Sequence, residues 1–447
     1  AEETADLAAV VATDADSATA AAARIDDARV GGTEAGPLAG LPMTIKDGFD
    51  VAGLPAVCGN PALVGRDPDV ADADVVATVR AAGAVPWAKT NVPLMLGDLQ
   101  TFNDVYGTTG NPFDPERTPG GSSGGAAAAL ATGITSIEIG SDIGGSLRVP
   151  AGFCGVHALK PTWDRLSLRG HVPPLPGTVP DPGDDLGVAG PMARTAGDLR
   201  LLWKVLTGAP TVSTPASGLR VALWLDEPAL PLSAEVRAVL ERAADALRGQ
   251  GAAIEVAAPP VAAGELVETY FALLFPVIAA GLPAAVMDRL QELRPDAVAA
   301  VAAGASRYRE QASVAFFTAD RDAVAAARER RSRMKQAVGA WFERYDAVLA
   351  PITAVPAIPH DQEGALAARS IDLDGTSVPY LHLFDWIALA TALHLPALAA
   401  PAGRTASGLP VGAQLIGPWD REGRLLDLAD ALERAVGALP GPTAARP

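Results

Sequence analysis

Short apolar runs alternate along most of the chain with longer stretches of helical spacing. The apolar runs favour buried strands and cover residues 84–89, 134–139, 219–225, 253–257, 347–350, 397–400 and 412–417. The helical stretches cover residues 3–28, 69–82, 126–132, 233–248, 320–345, 381–395 and 421–436. Strands that alternate with helices are typical of an α/β protein, in which helices cover a central sheet.

An uncharged stretch covers 19 residues, 269–287, which is enough to span a membrane. However, Pro276, Gly281 and Pro283 interrupt the stretch, and acidic residues flank both of its ends. We therefore predict a buried or pocket-covering pair of helices, and we keep a membrane-associated segment as the alternative.

Two segments rich in proline and glycine separate the predicted elements. Residues 173–185 combine Pro, Gly and Asp and predict a loop that borders the cleft. Residues 207–217 lie between a helix and a strand, and we place a subdomain boundary there. The expected organisation is a single domain over residues 1–447, with a mostly helical subdomain at residues 220–340.

The stretch from Thr118 to Gly152 carries the candidate chemistry. It contains two glycine-flanked turns with serine, GGSSGG at residues 120–125 and GGS at residues 144–146. An Ala-rich helix and a short strand are predicted between them. Because glycine permits a positive φ and a close approach of other groups, two such turns around one buried helix favour a functional site over plain turns.

A serine that acts as a nucleophile requires a base and N–H donors for the developing oxyanion. Four consecutive residues, Ile143, Gly144, Gly145 and Ser146, supply backbone N–H groups of this kind. No histidine occurs near the turns before His157, which leaves room for an unconventional base.

The two turns, GGSSGG and GSDIGGSLRVPAGFCG, resemble the amidase signature family, which uses a Ser-Ser-Lys arrangement instead of Ser-His-Asp. The resemblance extends over about residues 34–435, with further matches at LPMTIKD (41–47), KTN (89–91), LKPT (159–162), GPM (190–192) and GLPVG (408–412). It implies a mixed, twisted central sheet covered by helices, with strands from both sides of the 207–217 boundary.

The resemblance also implies roles for individual residues. Lys46 is the base, Ser122 is a bridging serine whose peptide bond is cis in this family, and Ser146 is the nucleophile. The N–H groups of residues 143–146 hold the oxyanion.

Substrate contacts are expected around these residues. The resemblance implies that the segment with Met95 and Leu96 lines the acyl pocket, and a plain core contact is the alternative. Gly120 and Gly121 are candidate substrate contacts beside the bridging serine. His171 is a further candidate because it lies next to the Pro-rich loop.

The chemistry of lysine is compatible with the role of a base. A lysine accepts a proton only when it is neutral, so burial must lower its pKa from about 10.4. Lys46 follows an apolar segment, which suits a desolvated site. Asp142 and Arg148 flank the second turn, and we predict that they form a buried ion pair that holds it.

Composition narrows the classes of partner. The net charge of −17 argues against nucleic acids and anionic membrane surfaces. The chain has two cysteines, so a disulfide framework is not expected and a reducing, cytoplasmic compartment is favoured. We expect a monomer or homodimer that acts on a small-molecule amide.

Other catalytic arrangements have less support. GxSxG occurs twice at residues 120–125, as in the nucleophile elbow of α/β-hydrolases, but the preceding NPFDPERTP contains three prolines and excludes the strand that an elbow needs. The five histidines form no HExxH or Cys/His zinc spacing, and no P-loop or GxGxxG is present. We therefore expect neither a metal ion nor a cofactor.

The resulting prediction is an amidase that hydrolyses a carboxylic amide through an acyl-enzyme, with esters and carbamates as further substrates. One alternative is the amidase subunit of a glutamyl-tRNA amidotransferase, although LML at residues 94–96 and GHVPP at residues 170–174 look unlike that branch. The other is a catalytically dead binding protein on the same fold. The joint presence of Lys46, Ser122 and Ser146 argues against it.

Overall fold

The structure is a computed structural model, and it describes residues 7–32, 36–172, 185–208, 214–282, 284–437 and 441 of the 447-residue chain. The loop predicted at residues 173–185 therefore lies outside the described residues, except for Asp185. The described residues form both strands and helices.

The strands are β1 (Val10–Thr13), β2 (Pro42–Lys46), β3 (Val85–Thr90), β4 (Phe102–Asn103), β5 (Gly107–Thr108), β6 (Ile137–Asp142), β7 (His157–Lys160), β8 (Val188–Ala193), β9 (Arg220–Leu223), β10 (Ala253–Val256), β11 (Ala347–Pro351), β12 (Ser370–Leu373), β13 (Thr376–Pro379), β14 (Ala397–Arg404) and β15 (Pro410–Ile416). The helices are α1 (Ala15–Val30), α2 (Asp74–Ala81), α3 (Gly124–Thr132), α4 (Arg148–Cys154), α5 (Ala196–Thr207), α6 (Ala234–Gly249), α7 (Ala263–Ala279), α8 (Ala284–Ala302), α9 (Glu310–Phe317), α10 (Arg321–Trp341), α11 (Ala388–Ala392) and α12 (Glu422–Val436).

One mixed sheet of 11 strands organises the described part of the chain, in the order β1-β3-β2-β6-β8-β7-β14-β15-β11-β9-β10. β2 pairs in parallel with β3 and β6, and β9 pairs in parallel with β10 and β11. The remaining pairs are antiparallel. Strands from both sides of the predicted boundary contribute, which confirms the mixed α/β sheet.

Apolar side chains cover both faces of this sheet because successive strand residues point to opposite faces. In β11, Val348 and Ala350 belong to one core, and Ala347 and Leu349 belong to the other. The first core contains residues of α3, α4, α7, α10 and α11, and the second contains residues of α2, α5, α6 and α12. Each core is therefore a layer of helices on one face.

The predicted helix at residues 3–28 is only partly correct. Val10–Thr13 form the edge strand β1, which pairs antiparallel with β3, and the helix begins after Asp14, whose carboxylate accepts the N–H of Ser17 at 3.0 Å. Pairing with β3 outweighs the helical propensity of this Ala-rich segment. The predicted helix at residues 69–82 begins later, at Asp74, because the preceding carboxylates bind loop N–H groups.

The helix predicted at residues 381–395 is wrong in its continuity. A 3₁₀ turn covers Tyr380–Phe384, and α11 covers only Ala388–Ala392. Between them, the carbonyl of Ile387 accepts from Arg148 at 3.0 Å and the carbonyl of Trp386 accepts from Gln414 at 2.9 Å. A buried side chain therefore takes the place of a helical donor at the Trp386 carbonyl, while the Ile387 carbonyl accepts from Arg148 in addition to the Thr391 N–H at 3.4 Å.

Residues 269–287 fall on α7 and α8, as the predicted helix pair requires. No helix in the described part of the chain combines the length and the hydropathy needed to cross a bilayer. The range 220–340 also holds β9, α6 and β10, whose strands join the central sheet, so the purely helical segment runs from α7 to α10.

Candidate active site

The side chain of Lys46 lies at the end of β2, between two neighbouring strands in the sheet. β2 pairs with β3 on one side and β6 on the other, and Lys46 is fully buried. Its Nζ lies 2.7 Å from the Ser122 Oγ and 2.9 Å from the Ser141 Oγ. The fold therefore brings Lys46 to one of the two predicted serines across 76 residues of sequence.

Ser122 is held by a turn that requires glycine. Gly120 has a φ of 88°, and a Cβ there would lie 2.8 Å from the Cα of Pro150. A Cβ on Gly121 would lie 2.6 Å from the carbonyl oxygen of Asp98. Both approaches are too close for a side chain, so only glycine fits. The peptide bond between Gly121 and Ser122 is cis, as the resemblance implies.

Ser146 lies in the turn between β6 and α4, and this turn is tied to the first one. The Ser123 N–H donates to the Ser146 carbonyl at 3.2 Å. Among the described residues, the Oγ atoms of Ser122 and Ser146 make no hydrogen bond to each other. The step from Ser146 to Ser122 is therefore a prediction, and catalytic hydrogen bonds are often long without substrate.

The Asp142 carboxylate organises the second turn. It accepts the N–H of Gly145 at 3.0 Å and the N–H of Leu147 at 3.1 Å. Arg148 pairs with it at 2.8 Å, and both side chains are fully buried. This geometry confirms the predicted ion pair. Burial raises the pKa of Asp142, but the Arg148 charge and its hydrogen bonds outweigh burial and leave the pKa below its ordinary value.

The Gly145 N–H is thus engaged by a carboxylate and differs from its neighbours. The N–H groups of Ile143, Gly144 and Ser146 have no acceptor among the described residues. The Ile143 carbonyl accepts from the Tyr270 hydroxyl at 3.0 Å. Three of the four predicted oxyanion donors are therefore unengaged, while the fourth helps to fix the turn.

Burial dominates the electrostatics of Lys46. Desolvation lowers its pKa to about 7, while Cys58, Asp142 and Glu138 act in the opposite direction. Burial also raises the pKa of Glu138 to about 8, so the opposing effect of Glu138 on the pKa of Lys46 is small near neutral pH. A substantial fraction of Lys46 is then neutral at pH 7, as a base requires.

His171 lies beside this network. Its Nε2 is 2.9 Å from the Ser141 Oγ, and its ring packs against Phe49 at 4.5 Å. Burial and the neighbouring Lys46 lower the pKa of His171. Ser141 was not identified from the sequence, although it directly precedes Asp142 in the second motif.

The predicted substrate contacts include Met95, Leu96 and His171. Met95 and Leu96 are half-buried with positive φ values of 47° and 62°. Leu96 and His171 both lie near Gly48, where a Cβ would be 3.2 Å from the leucine and 3.6 Å from the histidine.

Aromatic side chains near the second turn were missed by sequence reasoning. A Cβ on Gly144 would lie 3.2 Å from the Phe384 ring and 3.9 Å from the Tyr270 hydroxyl. Tyr270 belongs to α7, so this helix of the predicted pair reaches the second turn. The clustering of Tyr and Phe in residues 270–275 was the available signal.

Within the described ranges, no group of three or more His, Cys, Asp or Glu residues is placed to hold a metal ion. The expectation that no metal or cofactor takes part stays a prediction. The residues preceding the first turn form no strand between β5 and α3, so the arrangement around Ser122 and Ser123 is not a nucleophile elbow.

Comparison with known proteins identifies the family of this chain. The family model "Amidase" matches residues 1–426. The A subunit of glutamyl-tRNA(Gln) amidotransferase from Synechococcus sp. (strain CC9605) is 34% identical over 460 residues, covering 96% of this chain and 89% of that relative.

Two solved structures share the fold. A crystal structure of an amidase superposes with a TM-score of 0.77 at 28% identity, covering 96% of this chain and 92% of that one. The A subunit of glutamyl-tRNA(Gln) amidotransferase from Thermotoga maritima gives a TM-score of 0.73 at 26% identity, covering 92% and 88%. The chain therefore belongs to the Amidase family and is an amidase that acts on amide C–N bonds.

Proposed function

We propose that this amidase hydrolyses a carboxylic amide through an acyl-enzyme on Ser146, with Ser122 and Lys46 as the proton relay. The observation that carries the proposal is the 2.7 Å hydrogen bond between the Lys46 Nζ and the Ser122 Oγ in a fully buried site. A lysine with a pKa of about 7 has enough neutral form at neutral pH to accept a proton.

Each step of the reaction uses this relay. The Ser146 Oγ attacks the carbonyl carbon, and its proton passes through Ser122 to Lys46. The oxyanion is stabilised by the N–H groups of Ile143, Gly144 and Ser146. The C–N bond then breaks, and the amine leaves with the proton that the relay returns. Water, deprotonated through the same relay, hydrolyses the ester and regenerates Ser146.

The substrate is a small-molecule amide whose acyl group lies near Met95 and Leu96. The position of Leu96 and His171 beside Gly48, close to Lys46, supports this placement. Gly120 and Gly121 contribute backbone only, since neighbouring backbone atoms fill the space of their side chains. A panel of aryl amides, aliphatic amides, esters and carbamates would identify the acyl and amine groups.

A serine-directed fluorophosphonate tests the proposal without a known substrate. We expect one covalent adduct on Ser146, located by mass spectrometry of the digested protein, and no adduct in Ser146→Ala. An adduct on Ser122 or Ser123 would contradict the assignment. No adduct at all would favour a catalytically dead binding protein.

A second candidate is the amidase subunit of a glutamyl-tRNA amidotransferase. The names of the curated relatives favour it, and this support is more specific than that for any other amide. The chemistry at Ser146 would be the same, with glutamine as the amide and the released ammonia passed to a partner subunit.

Gel filtration and an ammonia assay separate the two candidates. An independent amidase elutes as a monomer or homodimer and hydrolyses non-glutamine amides alone. An amidotransferase subunit co-elutes with candidate partner subunits, and its glutamine hydrolysis rises when they are added.

A further inference from the structure

The Ser141 hydroxyl lies between two nitrogen atoms. Its Oγ is 2.9 Å from the Lys46 Nζ and 2.9 Å from the His171 Nε2. A hydroxyl has one hydrogen and can donate it to only one of these atoms, while it can accept from the other. The direction of that one hydrogen therefore decides whether the lone pair of a neutral Lys46 nitrogen is free or is occupied by the Ser141 hydroxyl.

The hydrogen bonds of neutral Lys46 fix this direction when the lysine acts as a base. A neutral amine has two N–H groups and one lone pair. If the lone pair faces the Ser122 hydroxyl at 2.7 Å, the N–H groups are left for the Ser141 Oγ at 2.9 Å and the Ser141 carbonyl at 3.4 Å. The Ser141 hydroxyl then has to donate elsewhere, and His171 Nε2 is its partner.

The opposite arrangement blocks the base. If Nε2 of His171 carried a hydrogen, it would donate to Ser141, and the Ser141 hydroxyl would turn toward the lone pair of Lys46. The low pKa of His171, which burial and Lys46 cause, keeps the ring neutral. A neutral ring can leave Nε2 free to accept.

We propose that His171 is a positioning residue, which accepts the Ser141 hydrogen and thereby keeps the lone pair of Lys46 available to Ser122. This inference rests on the proposed acyl-enzyme mechanism and adds a residue to its proton relay. His171 acts through Ser141 and does not itself exchange a proton with the substrate.

Fluorophosphonate labelling measured as a function of pH tests this role, because fluoride leaves without needing a proton. His171→Phe keeps a ring beside Phe49 but has no acceptor. We expect labelling of Ser146 to slow about five- to tenfold at pH 8. In this variant the Ser141 hydroxyl donates to the lone pair of Lys46, and this hydrogen bond of ordinary strength must break before Lys46 can accept a proton. The midpoint of the pH profile should move to lower pH, because that hydrogen bond stabilises neutral Lys46.

Three variants make the test specific. His171→Gln places an amide oxygen near the position of Nε2 and should restore most of the rate. His171→Leu should repeat the defect if the phenylalanine variant folds poorly. His360→Phe, at a half-buried histidine whose Nε2 contacts the Pro115 carbonyl, should leave the rate unchanged. The groups that raise the pKa of Lys46, namely Cys58, Asp142 and Glu138, are the same in all variants.

A double-variant comparison decides between positioning and packing. In Ser141→Ala there is no hydroxyl to misdirect, so adding His171→Phe should cause no further loss. An equal loss in both backgrounds would overturn the proposal, as would an unchanged rate and midpoint in His171→Phe. Absence of Ser146 labelling in the unmodified protein would instead count against the proposed function itself.

Discussion

Two fully buried lysines share an altered pKa but differ in their neighbours. Burial lowers the pKa of both Lys46 and Lys160 to about 7. Lys46 contacts the hydroxyls of two serines, at 2.7 Å and 2.9 Å. The Nζ of Lys160 donates to the carbonyl oxygens of Leu395 at 2.9 Å and Pro161 at 3.0 Å.

The type of neighbour determines what a buried lysine does. A hydroxyl can give a proton to a neutral amine and receive it back, whereas a carbonyl oxygen only accepts hydrogen bonds. Lys160 therefore connects β7 to the segment before β14, and only Lys46 has a group to deprotonate. A lowered pKa alone does not identify a base.

Loss of the Ser146 hydroxyl is expected to reduce amide turnover the most, and this loss is the reference for the two lysine variants below. Ser146→Ala should reduce amide turnover by roughly 10³-fold or more, because it removes the atom that forms the acyl bond. Turnover is measured on the best amide of the substrate panel, and circular dichroism checks the fold. Residual turnover within tenfold of the unmodified enzyme would contradict the role of this serine.

Lys46→Met should reduce amide turnover by about 10²- to 10⁴-fold, because it removes the proton acceptor while it keeps an unbranched side chain. The loss should be smaller for activated esters, whose leaving groups need little protonation. Steady-state kcat/KM for a matched amide and ester measures the difference. An equal loss for both, with an unchanged melting curve, would show that Lys46 is not the proton shuttle.

The pH profile should separate a lysine base from a histidine base. In the proposed mechanism the neutral form of Lys46 is the active one, and the pKa of Lys46 is about 7. Amide kcat/KM should therefore rise about tenfold per pH unit below pH 7 and become level above about pH 8. Initial rates in overlapping buffers measure the profile. A plateau already complete by about pH 6.5 would contradict a lysine base.

Lys160→Met should leave turnover of the folded enzyme nearly unchanged, unlike the same substitution at Lys46. It should lower the free energy of unfolding by about 1–3 kcal/mol, because two buried carbonyls lose their donor. Urea denaturation measures this loss. A 100-fold loss of turnover with an intact fold would remove the distinction between the two lysines.

The same variant tests the pKa of Lys160 through stability. Since the pKa of Lys160 is lowered to about 7 in the folded state, the unfolded chain binds more protons between about pH 7 and pH 10.5. The contribution of Lys160 to stability therefore rises with pH over this range. The stability difference between the unmodified protein and Lys160→Met should grow from pH 7 to pH 10.

The sequence predicted much of the fold and the candidate relay because their signals are local. Predicted apolar runs fall on seven of the eleven strands of the central sheet, β3, β6, β9, β10, β11, β14 and β15, whereas β1 was predicted as helix. Short motifs, through the family resemblance, named Lys46, Ser122 and Ser146. The interruption at residues 385–387 was not predictable in this way, because Arg148 and Gln414 are distant in sequence from the carbonyls that they bind.

The contact between Ser141 and His171 was also beyond sequence reasoning. The two residues are 30 positions apart, and an isolated bridge between Phe49 and His171 aligns the histidine with the site. No spacing rule connects a serine in a strand to a histidine in a later turn. The histidine was therefore interpreted only as a substrate contact.

The network of Arg148 has a consequence for how the protein is made. Besides Asp142, its guanidinium binds the Thr391 hydroxyl at 2.7 Å and the Gln414 side chain at 2.7 Å. The three proposed relay residues lie in the first 146 positions, but Thr391 and Gln414, which hold Arg148 at the second turn, lie far later, on α11 and β15. During synthesis, Arg148 can therefore complete its contacts only after Gln414 has been added to the chain, long after Lys46, Ser122 and Ser146.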